Sequence, residues 1–105
     1  MVNKMLNEKS IIKVIFNKNN FIEYAVPDEG VMFYSEKEGK TYFLNYIAIE
    51  ILKFGDGKSI GDVVTYIKKE YDIIDITEKA LLDDIYELCN NLLDNNMIEI
   101  DKGSD

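Results

Sequence analysis

Lys40-Thr41-Tyr42-Phe43-Leu44-Asn45-Tyr46-Ile47-Ala48-Ile49-Glu50-Ile51-Leu52 is the stretch in which the hydrophobic pattern changes from a strand's to a helix's. Lys40 to Leu44 (KTYFL) is rich in β-forming residues and follows Glu36-Lys37-Glu38-Gly39, a charged connection ending in glycine, as in a hairpin. Asn45 can cap a helix by accepting backbone N–H groups, and Leu44 before it can staple onto Ile49. Ile47, Ala48, Ile51 and Leu52 then give the helix its buried face, and Gly55 and Gly57 end it.

Upstream, Val31 to Ser35 and Phe21 to Val26 read as two further strands joined through Pro27-Asp28-Glu29-Gly30, so the first half predicts a three-stranded meander. Ile11 to Phe16 (IIKVIF) is a short β-rich run, an extra strand or an arm, cut off by the polar Asn17 to Asn20. Downstream, Ser59 caps a second helix with the apolar stripe Ile60, Val63, Val64, Ile67 and Tyr71. Thr77 caps a third, which carries two apolar rows: Leu81, Ile85, Leu88 and Leu92, and Leu82, Tyr86, Cys89 and Leu93. A helix with two apolar faces has two things to touch. Asn95-Asn96 closes it, and Met97 to Ile100 reads as a short terminal strand or wing. The class is α+β. Residues 1–20 form an N-terminal arm or extra strand, residues 21–100 the domain, and residues 101–105 a polar tail.

A chain of 105 residues with 47% hydrophobic side chains supports one modest core. Twenty acidic and 12 basic side chains give a net charge of -8, which repels nucleic acid and anionic lipid and attracts basic peptides. Cys89 has no second cysteine to pair with and falls in a helical apolar row, where a thiol packs as a small hydrophobe. With no signal-peptide run and no membrane-length apolar segment, the chain reads as soluble and cytoplasmic.

There is no histidine, which removes Ser-His-Asp triads, Cys-His pairs and histidine metal sites. Gly57-Lys58-Ser59 matches the end of a phosphate-binding loop, but Leu52 stands where that loop needs glycine, and a helix precedes it where a strand should. Asp83, Asp84 and Glu87 on the third helix lack the further oxygens of a metal cage; they read as a solvated face or as a recognition surface for basic ligand residues. No catalytic residue, metal site or cofactor is assigned, and the protein is not expected to be an enzyme. Phe33, Tyr34, Tyr42 and Phe43 cluster in adjacent strands, and alternation predicts one of each pair inside.

Residues 21–100 resemble the PqqD-like family, also called RiPP recognition elements, which serve ribosomally made, post-translationally modified peptides. The resemblance is carried by Tyr42-Phe43-Leu44-Asn45, Ala48-Ile49-Glu50-Ile51-Leu52, Asp56-Gly57-Lys58-Ser59, Val63-Val64-Thr65-Tyr66-Ile67 and Glu70-Tyr71-Asp72. Asp84-Ile85, Cys89, Leu92 and Asn96-Met97-Ile98 follow in order. The family often has leucine where Cys89 stands and glycine where Asn96 stands; asparagine tolerates the left-handed cap that glycine would adopt.

The resemblance implies a three-stranded antiparallel sheet followed by a three-helix winged helix-turn-helix. It also implies that a precursor's leader peptide adds as a strand beside the third strand, against the third helix. On that reading Lys40, Thr41, Tyr42, Phe43 and Leu44 form the docking edge, Leu82 and Tyr86 an apolar wall, and Asp83, Asp84 and Glu87 an acidic rim for Lys or Arg of the leader. The beneficiary is a separate maturation enzyme, whether a radical S-adenosylmethionine maturase, a cyclodehydratase or a leader peptidase. Pairing through the exposed edge could also make a homodimer. The rival readings are a winged-helix DNA-binding regulator and a generic adaptor subunit. The first is opposed by Glu78, Asp83, Asp84, Glu87 and Asp94 against the single Lys79 on the would-be reading helix. The second would lack a precursor gene nearby.

Overall fold

The computed structural model describes residues 6–71 and 77–101; Asp72 and all of the expected tail except Asp101 lie outside them. The order is β1 (Ile11–Val14), a 3₁₀ turn (Lys18–Asn20), β2 (Ile22–Val26), β3 (Gly30–Ser35), β4 (Lys40–Asn45), α1 (Tyr46–Phe54), α2 (Ile60–Glu70), α3 (Glu78–Asp94) and β5 (Ile98–Asp101).

The helices start where their caps stand. The side chain of Asn45 accepts the Ala48 N–H at 2.8 Å, Ser59 that of Asp62 at 3.1 Å and Thr77 that of Ala80 at 3.1 Å. Each cap satisfies an N–H group that the first helical turn leaves without a carbonyl, worth about 1 kcal/mol. At the far end of α3, Asn96 takes the left-handed conformation (φ 58°), and the Met97 N–H returns to the Leu92 carbonyl at 2.9 Å.

β2, β3 and β4 form the expected antiparallel meander, with Phe33 opposite Tyr42 and Met32 opposite Phe43. Gly30 is required at its turn, because a Cβ there would collide with the Leu44 carbonyl. Alternation sorts the aromatic residues as expected. Phe33 is buried and Tyr42 half-buried, while Phe43 stands 49% exposed on the other face. Phe33 meets Phe16 edge-on at 5.1 Å between centroids, and Phe16 stacks on Phe21 at 4.9 Å.

The expected three-stranded sheet is present, and the described residues add a second, two-stranded one. β1 does not join the meander; it pairs antiparallel with β5, Ile12 opposite Ile100. The reason lies between β1 and β2, where Asn17 caps the 3₁₀ turn and breaks the run of strand. The terminal run thus finds its partner at the other end of the described chain. On its second side β1 is tied to the α1–α2 connection. The Ile12 N–H donates to the Lys58 carbonyl at 2.9 Å and the Gly57 N–H to the Ile12 carbonyl at 2.8 Å. Ile60 and Gly61 donate to the Ser10 and Glu8 carbonyls, each at 2.9 Å.

Ile12 is completely buried with Ile60, Ile67 and Ile85, and Ile51, Cys89, Leu92 and Ile98 complete the centre of the core. Burial of each such side chain contributes about 1.5–3 kcal/mol. Burial also pushes the Cys89 thiol up to about 12, as befits an inert core residue. Among the described residues no helix is long and apolar enough to cross a membrane.

Candidate functional site

β4 is an outer strand of the meander, so among the described residues one side of its backbone has no strand partner. At its end Asn45 turns the chain into α1, and there α3 approaches. Between them lies a cleft of about 450 Å³ lined by Asn45, Ile47, Leu81, Asp84, Ile85, Glu87 and Leu88. Its floor is apolar, with Leu81 and Ile85 buried and Ile47 and Leu88 half-buried. Its rim carries two exposed carboxylates, Asp84 and Glu87. The arrangement offers backbone hydrogen bonds along one side, pockets for apolar side chains beneath and negative charge above. It offers no nucleophile paired with a base.

The residues named from sequence fall into three places. Lys40, Thr41, Tyr42, Phe43 and Leu44 run along the open strand that leads into the cleft; Leu44 is buried, Tyr42 half-buried and the others exposed. The Tyr42 hydroxyl donates to Glu38 at 3.0 Å, and that bond, with burial second, raises its pKa above the ordinary 10. Asp84 and Glu87 line the cleft. Leu82 and Tyr86 do not: successive helical residues diverge by about 100°, which turns Leu82 about 160° from Asp84. Tyr86 is raised by burial first and then by the charges of Glu8 and Asp83, which places both carboxylates on its side of α3.

The cleft therefore draws on the row Leu81, Ile85 and Leu88, whereas the resemblance points to Leu82 and Tyr86. Ile47 and Asn45 were noted only as helix-forming residues. One signal in the sequence could have found the pair: Asp84 and Leu88 are four residues apart and share a face.

The family model for Coenzyme PQQ synthesis protein D (PqqD) matches residues 29–98, two thirds of the chain. No curated protein gives a significant sequence match. Among solved structures, the chain is similar to TbiB1 in complex with the TbiA(beta) leader peptide, at 17% identity and a TM-score of 0.56, over 83% of this chain and 94% of that one. It is similar also to a lasso peptide synthetase B1 complexed with the leader peptide, at 21% identity and a TM-score of 0.54, over 87% of this chain and 98% of the other.

Proposed function

The chain belongs to the PqqD family, and from that premise we propose that it binds the leader segment of a ribosomally synthesised precursor peptide by strand addition to β4 and presents it to a separate modifying enzyme. The observation that carries the reading is the open β4 backbone running into a cleft with an apolar floor and an acidic rim. The two structures of similar fold, both leader-peptide complexes, support it.

In this mechanism the leader's N–H and C=O groups pair with those of Lys40 to Leu44. Every second leader side chain points towards α3, where Ile47, Leu81 and Leu88 remove apolar groups from water. Asp84 and Glu87 attract Lys or Arg of the leader and speed the encounter, aided by the net charge of -8. The helices and β5 act as a winged helix-turn-helix frame within a domain of residues 21–100, and Glu8, Ser10 and Ile12 of the N-terminal arm brace it.

The protein contributes no chemistry of its own. Held beside the enzyme, the core peptide reaches an effective concentration in the millimolar range, which is how a binding protein controls a reaction. The enzyme is a radical S-adenosylmethionine maturase, a cyclodehydratase or a leader peptidase, as in related systems.

The test is fluorescence anisotropy with a labelled synthetic leader from the nearest short open reading frame. Saturable binding at micromolar concentration or tighter is expected. Leu88→Ala should weaken it about tenfold and Leu82→Ala by less than about twofold. If no neighbouring leader binds, leader capture is excluded; if Leu82→Ala weakens binding more than Leu88→Ala, the peptide lies on the other side of α3.

A further inference from the structure

A second cavity, of about 340 Å³, lies between α1 and α2 and shares no residue with the β4–α3 cleft. Val63 and Ile67 line it and are buried; both are aliphatic. Above them stand two aromatic rings, Phe54 and Tyr66, with centroids 5.6 Å apart and planes inclined at 44°. Phe54 is 52% exposed, so its ring is open to an incoming group. Glu50 and Asp62 complete the acidic part of the lining. The Tyr71 hydroxyl donates to Glu50 at 2.8 Å and holds that carboxylate in place.

Apolar walls, two ring faces and a carboxylate held in place match an organic cation carried on an aliphatic stem. The stem loses water against Val63 and Ile67, the charged head lies over the rings, and Glu50 balances its charge. A guanidinium suits this best, because it is planar, weakly hydrated and able to stack on a ring while donating to a carboxylate.

We propose that this cavity is a binding site for an arginine or lysine side chain presented by a protein partner. Its volume is at the small end of ligand sites, enough for one long side chain and the backbone beside it. The surroundings are electronegative: the phenols of Tyr66 and Tyr71 are both raised, by burial first and then through Glu50 and Glu70, Tyr71 to about 12. Lys58 is the cation of the lining, against Glu50 and Asp62, and it competes with the incoming charge.

The experiment uses N-acetyl-arginine N-methylamide as the probe and the neutral N-acetyl-norleucine N-methylamide as its control, each titrated into the ¹⁵N-labelled full chain. Saturable amide shifts at Gly55, Val63 and Ile67 in the millimolar range are expected with the arginine probe, and binding about fivefold weaker with norleucine. Glu50→Gln should weaken the arginine probe about fivefold, Phe54→Ala by a similar factor, and Lys58→Gln should tighten it. Each variant is checked for a native spectrum first, and Asp62→Asn replaces Glu50→Gln if the Tyr71 bond proves necessary for folding.

Equal binding of the two probes, an unchanged response in the carboxylate variant, or shifts away from the cavity would overturn the proposal. So would choline binding more tightly than the arginine probe, since that marks a site for a free cation. No leader peptide enters the measurement, so its outcome is independent of whether leader capture holds.

Discussion

The two sheets of this molecule use their backbones in opposite ways. In the ribbon of β1 and β5, β1 is bonded on both sides, to β5 and to the α1–α2 connection, and its Ile12 side chain is completely buried. In the meander, β4 keeps one side open and exposes Phe43. A strand with both sides engaged belongs to the fold, whereas a strand with an open side beside a cleft is available to a ligand. β2 adds a control, because it too is an outer strand, and the β4–α3 cleft is not lined by any of its residues.

The contrast can be broken by moving stability and binding separately. Ile12→Ala should cost about 3 kcal/mol in urea unfolding, the usual penalty for emptying a filled core site, while the folded fraction binds leader as before. A loss of leader affinity in the folded protein would show that the ribbon is part of the site. Phe43→Pro should have the converse effect, lowering leader affinity about hundredfold through the lost ladder bonds, whereas Tyr24→Pro on β2 changes it less than about threefold. Equal losses from both would mean that either open edge can take the peptide.

The next effect is electrostatic. The double variant Asp84→Asn, Glu87→Gln should weaken a basic leader a few-fold, mainly through slower association, and flatten the dependence of affinity on salt. An unchanged salt dependence would remove the acidic rim from recognition. The smallest effect concerns the turn of the open sheet. Because the Tyr42 phenol titrates above 10 in the folded protein and near 10 when unfolded, its contribution is complete below pH 10 and is lost as pH rises through the folded value. Tyr42→Phe should therefore make the decline of stability above pH 10 shallower, leaving the slope due to Tyr66, Tyr71, Tyr86 and Cys89.

Much of this was legible because it is local. Asn45, Ser59 and Thr77 cap the helices they were expected to cap, and the turn residues around Gly30 and Gly39 delimit the meander. The left-handed Asn96 was readable as a substitute for glycine. The pairing of β1 with β5 was not, since Ile11 to Val14 announces only a strand and nothing within a few residues of it names a partner. The side of α3 that faces the cleft was hidden for a related reason. Both of its rows are apolar, so periodicity cannot rank them, and what separates them is distant: Asn45 and Ile47 on one side, Glu8 by Tyr86 on the other.

Because Ile98 is buried and its strand pairs with β1, the core is finished only when two stretches far apart in the sequence meet. Joining stretches so far apart costs about 4 kcal/mol of loop-closure entropy, a cost that the local contacts of the meander and helices do not carry. A chain lacking β5 has nothing to offer β1, and it exposes the apolar surface that the two strands enclose. A chain cut short before β5 is thus left as a substrate for quality control.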